Sequence, residues 1–172
     1  MPRLSLCMIV HNEAALLPAC LASVAALVDE IVVADTGSTD NTVDIAMQAG
    51  AKVISIEWQE DFAAARNQAL AQVTGDWVLV LDADETLNER IIPTLKTAIA
   101  NEQALVVNLM RHELGSRQSP YSLVSRLFRR HPQLTFTRPY HESIDDSVLT
   151  LLETEPDWQV LNLAGVAIHH KG

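Results

Sequence analysis

Short apolar runs alternate, over the first hundred residues, with stretches in which apolar side chains recur every third or fourth position. Leu4 to Val10 (LSLCMIV), Glu30 to Ala34 (EIVVA), Lys52 to Ile56 and Trp77 to Leu81 (WVLVL) read as strands, and the unbroken runs among them suit burial on both faces. Between them, Leu17, Cys20, Leu21, Val24 and Leu27 form one helical stripe, with Pro18 in its first turn, where a missing N–H costs nothing. A second stripe, Thr42, Ile45, Ala46 and Ala49, follows the small polar residues Thr36 to Asp40 and closes at Gly50, as an N-cap and C-cap would place it. A third runs roughly from Asp61 to Gln72 and carries Arg66 inside its apolar face. A guanidinium there needs an anion. Asn88 then caps a helix with Ile91, Ile92, Leu95 and Ile99 on one side.

Strand and helix alternate four times, which predicts an α/β fold: a mostly parallel central sheet flanked by helices. Ligands in such sheets bind beyond the carboxyl ends of the strands. His11, Asn12 and Glu13, Asp35, and Asp82 to Asp84 all follow predicted strands, so they should face one crevice. After Asn101 the pattern changes to mixed strands. Ala104 to Met110 and Ser122 to Phe128 read as a pair, and Trp158 to Leu163 with Val166 to Ile168 as a closing hairpin around Ala164-Gly165.

Carboxylates as close as Asp82, Asp84 and Glu85 repel one another unless something positive lies between them. A hard divalent cation, Mn2+ or Mg2+, is the simplest partner. The net charge of −10 argues against a general grip on nucleic acid. With 172 residues and 48% hydrophobic content, the chain is expected to form one domain, 1–172. Cys7 and Cys20 both fall in apolar positions and read as two buried thiols, which suits a reducing, cytoplasmic setting. Leu4 to Val10 is too short to span a bilayer, which leaves peripheral membrane docking open.

Five ordered motifs carry a resemblance. MIVHNE, VADTGSTDNT, AAARNQAL, GDWVLVLDADE and PYHES together resemble a family-2 glycosyltransferase of the GT-A fold, closest to a short bacterial branch with an HE pair. The resemblance implies a nucleotide-diphospho-sugar donor, a divalent metal and transfer with inversion at the anomeric carbon. Residues 1–100 would form the nucleotide-sugar-binding half and 101–172 the acceptor and catalytic half. Asp84 would bind the metal at the diphosphate, with Asp82 nearer the ribose or a metal-bound water and Ala83 between them. Asp35 and the backbone of Val10 to Asn12 would hold the base, with Glu13 close by. Arg66 would face uracil or the diphosphate. Glu142 is the candidate catalytic base, His141 a metal or phosphate contact, and His169 or His170 would complete the metal shell. The acceptor would be a hydroxyl of a glycan, lipid or protein. The shortness of the second half leads us to expect completion by another subunit, a partner or a further segment, with a homodimer preferred.

Two other readings compete. Asp82-Ala83-Asp84-Glu85-Thr86 also fits the D-x-D-x-T nucleophile motif of haloacid-dehalogenase-type phosphatases, and Asp145-Asp146 could imitate their later acidic pair. Those enzymes carry the motif on their first strand, whereas three strand-helix units precede it here. The other alternative is a nucleotide-sugar-binding module without turnover.

Overall fold

The computed structural model describes residues 1–118 and 120–171. The chain forms β1 (Leu4–Val10), α1 (Leu17–Val24), β2 (Glu30–Asp35), α2 (Thr42–Gln48), β3 (Lys52–Ser55), α3 (Phe62–Leu70), β4 (Trp77–Val80), β5 (Glu85–Leu87), α4 (Ile92–Ile99), β6 (Ala104–Glu113), β7 (Tyr121–Arg129), α5 (Asp145–Thr154) and β8 (Gln159–His170), with a 3-10 turn, Glu89–Ile91, leading into α4. No helix among the described residues is long and apolar enough to cross a membrane.

All strands join one 8-stranded sheet in the order β3-β2-β1-β4-β7-β6-β8-β5. The pairs β3-β2, β2-β1, β1-β4 and β6-β8 are parallel, and the pairs through β7 and β5 are antiparallel. The chain winds outward from β1 through β2 to β3, then crosses back to β4 on the other side of β1. Right-handed crossovers in opposite directions put their helices on opposite faces. Accordingly α1 and α2, with α4, bury Leu17, Cys20, Leu21, Val24, Ala46, Leu95 and Ile99 against one face. Helices α3 and α5 bury Ala63, Ala65, Ala69, Val148 and Leu151 against the other. The winding reverses between β1 and β4, so a crevice opens at their carboxyl ends.

Close packing fixes how β4 lies beside β1. A Cβ at Gly75 would sit 2.4 Å from Ser5 Oγ and 3.0 Å from the Arg3 carbonyl, so only glycine lets the chain enter β4 this near its neighbour. Trp77 is fully buried, and the Arg129 guanidinium lies 5.0 Å from its ring centroid and 5.2 Å from that of Trp158. Both cysteines are free and buried. Burial pushes each thiol up to about 12, which leaves them as inert packing groups.

The structure departs from the sequence reading in three places. The expected hairpin around Ala164-Gly165 is one continuous strand, β8, parallel to β6 along its length. Gly165, at φ +90°, sits in a bulge of that strand rather than in a reversal: the step from Asn108 to Met110 on β6 is matched by the longer step from Asn162 to Val166 on β8. β5, three residues long, is too short to show a period. α5 occupies a stretch read only for its Asp145-Asp146 pair; those acids fill its first turn, where the helix dipole favours them.

Candidate active site

The loops after β1 and β2 are laced together before they reach any ligand. Asn12, at φ +51°, accepts from the Thr39 N–H at 2.7 Å and donates its own N–H to Ser38 Oγ at 2.8 Å. Asp35, 5% exposed, accepts from the N–H groups of Gly37 and Ser38 and from Ser38 Oγ. Its carboxylate is therefore spent inside the loop, and the residue does not line the neighbouring cavity. The Glu13 carbonyl accepts from the N–H groups of Leu16 and Leu17 to start α1. Burial, then the nearby Asp84 and Asp82, raise the Glu13 carboxyl above its ordinary range.

β4 ends at Val80, and Asp82-Ala83-Asp84 turns immediately into β5. Asp82 meets Arg66 Nη2 at 2.6 Å and Arg126 Nη2 at 3.4 Å. Burial alone would raise this carboxyl, but Arg126 and Arg66 outweigh it and hold it at about 2. Arg66, 5% exposed on α3, turns its Nε to Glu142 at 2.8 Å. The anion that its place in an apolar stripe demands is thus a pair of carboxylates, not the adjacent surface acids Glu60 or Asp61.

Asn67, next to Arg66, explains how Glu142 arrives there. Its side chain donates to the Phe136 carbonyl at 2.9 Å and accepts from the Phe136 N–H at 2.8 Å. The Phe62 N–H donates to the Pro139 carbonyl at 2.9 Å. α3 therefore clamps the segment carrying Tyr140, His141 and Glu142 at two points. His141 itself has φ +54°, a conformation disfavoured for a side-chain-bearing residue.

Asp84, the other acid of the loop, faces the far half of the sheet. His170 Nε2 lies 2.7 Å from Asp84 Oδ2, and His170 Nδ1 lies 2.8 Å from Glu113 Oε1. His169, one residue earlier, points to the opposite face, where its ring is 5.9 Å from that of His112. A cavity of about 670 Å3 opens among His11, Glu13, Arg66, Asp82 to Asp84 and Tyr140 to Glu142, with Trp58 and Phe62 at one wall.

No three His, Cys, Asp or Glu side chains among the described residues converge as a closed metal cluster does. The carboxylate of Asp84 and the imidazole of His170 nevertheless suit an ion of the Mn2+ or Mg2+ kind, which takes few protein ligands and completes its shell with phosphate and water oxygens. Asp82, held by two guanidiniums, is already neutralised without an ion. Sequence reasoning missed the parts played by Asn67, Arg126 and Glu113, and it counted Glu85 only among the crowded acids that call for a positive partner; that partner is a pair of guanidiniums, Arg111 and Arg126.

The eight-stranded sheet with its site at the β1-β4 switch is the GT-A architecture. Residues 5–161 match Glycosyl transferase family 2, and the chain belongs to that family. It is 51% identical over its whole length to a TPR repeat-containing protein of Synechococcus elongatus, of which it spans 43%. It is 29% identical to an uncharacterized glycosyltransferase of Rickettsia felis over 100% of this chain and 63% of that protein. It thus spans less than two thirds of the length of these relatives. Among solved structures, S. aureus TarS in complex with UDP-GlcNAc superposes with a TM-score of 0.77 at 19% identity, over 99% of this chain and 59% of that one. Glucosyl-3-phosphoglycerate synthase from Mycobacterium tuberculosis, with Mn2+, UDP and glucosyl-3-phosphoglycerate, gives 0.72 at 21%, over 99% and 72%. At these identities the likeness establishes the fold. The phosphatase alternative falls with the family match.

Proposed function

We propose that this chain is the catalytic domain of a glycosyltransferase that moves a sugar from a nucleoside-diphosphate sugar, uridine being the preferred nucleoside, to an acceptor hydroxyl with inversion. The observation that carries the reading is the division of labour in the Asp82-Ala83-Asp84 loop. Asp82 is tied to Arg66, and through it to Glu142, while Asp84 is tied to His170. This division supports a divalent-ion site at Asp84 and His170, next to the Arg66 guanidinium. The UDP-GlcNAc and UDP complexes of the two similar solved structures support uridine.

In this mechanism Asp84 and His170 would hold the divalent ion, which would neutralise charge on the diphosphate. Arg66 adds fixed positive charge where the leaving group gains negative charge. Glu142 takes the proton of the acceptor hydroxyl; the hydroxyl oxygen bonds to the anomeric carbon as the bond from that carbon to the phosphate oxygen breaks. Arg66 Nε holds one Glu142 oxygen at 2.8 Å, so the other oxygen is oriented for the proton. The Asp35-laced loop and the backbone from Val10 to Asn12 form the floor for the base.

The deciding experiment is a thermal-shift screen of nucleoside diphosphates with and without Mn2+. UDP with Mn2+ is expected to raise the melting temperature most, and absence of a shift with every nucleoside diphosphate overturns the donor site. Release of UDP from a UDP-sugar, slow without an acceptor, separates a transferase from a module that only binds.

A further inference from the structure

Glu85 is the most completely buried charged side chain near the site: its relative exposure is 0%, although, as the first residue of β5, it directly follows Asp84, which lines the cavity. Its Oε1 accepts from the Asp82 N–H at 2.7 Å and from Arg126 Nη1 at 2.8 Å. Its Oε2 lies 2.7 Å from Arg111 Nε, close enough for an ion pair but poorly aligned for a hydrogen bond. Arg126 reaches past Glu85 with its other nitrogen to Asp82 Oδ2 at 3.4 Å. Arg111 reaches Glu113 at 3.5 Å, and Glu113 holds the Nδ1 side of His170.

These contacts connect. From Asp84 the path runs through His170, Glu113, Arg111, Glu85 and Arg126 to Asp82, and on through Arg66 to Glu142. Beyond His170 it alternates acid and guanidinium at every step. The two aspartates are therefore joined twice: over the top by the backbone of Ala83, and underneath by a relay of ion pairs that passes through the buried Glu85. Stability alone is a weak account of such a centre, because apolar packing of similar volume often serves a fold as well as a buried ion set does. What an apolar residue cannot do is hold the Asp82 N–H and fix Arg126 at once.

We propose that Glu85 is a positioning residue for the donor site: it sets Asp82 and Arg126, and with them the shape of the Asp82–Asp84 loop, in the geometry that receives a metal-bound nucleoside diphosphate. The inference rests on the donor reading above and deepens it. Glu85 touches no substrate; it acts through Asp82 and Arg126, much as outer-shell partners of metal ligands tune the ligands themselves.

The test is calorimetric binding of UDP, with and without Mn2+, to wild type and Glu85→Gln, at a temperature where circular dichroism shows both folded. Glutamine keeps an acceptor for the Asp82 N–H but removes the charge that sets Arg126. Outer-shell losses cost roughly ten- to a hundredfold in affinity, so a loss of about tenfold, concentrated in the Mn2+-dependent part, is expected. In turnover assays KM for the donor should rise more than kcat falls. Because Glu85→Gln leaves Arg111 and Arg126 uncompensated and can fail to fold, the double variant Glu85→Gln/Arg111→Gln restores the charge balance and should show the same affinity loss. Wild-type-like binding in either folded variant overturns the proposal. Failure of wild type to bind any nucleoside diphosphate instead overturns the donor reading. In wild type itself, the Asp82 amide should exchange with deuterium more slowly than the Ala83 amide after correction for intrinsic rates; equal exchange also overturns the proposal.

Discussion

His170 Nε2 meets Asp84 Oδ2 at 2.7 Å, joining the last strand to the loop after β4 across 86 positions of sequence. Because His169 lies on the other face of β8, the two histidines should differ sharply. Asp84→Ala and His170→Ala are each expected to abolish the Mn2+-dependent part of the UDP-induced rise in melting temperature. His169→Ala should leave it intact, and loss in His169→Ala with retention in His170→Ala would reverse the assignment.

Arg66 bridges Asp82 and Glu142 at 2.6 and 2.8 Å. Removing one partner from a buried pair costs about 3–5 kcal/mol. With the Asp82 side chain 36% exposed, solvent screening lowers the expected cost of Arg66→Met to about 2–3 kcal/mol. Urea denaturation measures it. Arg66→Lys should recover little of the loss, since one ammonium cannot span both carboxylates as a planar fork does.

Glu142→Gln keeps the shape of the Arg66 contact but cannot take a proton. Turnover is expected to fall by roughly a hundredfold or more, with UDP and Mn2+ affinity little changed. Undiminished turnover removes Glu142 as the base.

The Asp82 carboxyl, held at about 2 against the ordinary 3.8, links stability to acid. A folded-state value below the unfolded one means the contribution is complete above the ordinary value and lost as pH falls through the folded value. Stability measured by urea denaturation should therefore drop between about pH 4 and pH 2. Asp82→Asn should drop less over the same window, and parallel curves for the two proteins would rule out this source.

The first half of the fold is legible in the sequence because buried parallel strands are written as apolar runs, and the runs of β1 and β4 end on the polar residues they deliver to the crevice. The second half is less so. α5 carries Val148 and Leu151 at helical spacing, yet the acidic pair ahead of it drew attention to chemistry instead of to the dipole. Gly165 suggested a turn because a glycine between two apolar runs suits both a turn and a bulge. Within the site, the acids of the loop and the out-of-place Arg66 could be read from pattern alone. Their partners could not: Glu142, Arg126 and His170 lie 76, 44 and 86 positions from the residues they meet, and no local period records such distances.

The bulge in β8 has one more effect. Ala167 and Ile168 are both fully buried in the same core although they are consecutive, so the strand changes phase there. The step from Asn108 to Arg111 on β6 is answered by the step from Asn162 to Ile168 on β8, an odd number of extra residues. In a structure of period two, such an insertion exchanges the faces of everything downstream. The choice of His170 over His169 as the neighbour of Asp84 is thus a matter of parity, settled several residues upstream. Deleting a single residue between Leu163 and Ala167 would present His169 to Asp84 in place of His170, with every side chain of the candidate site still encoded.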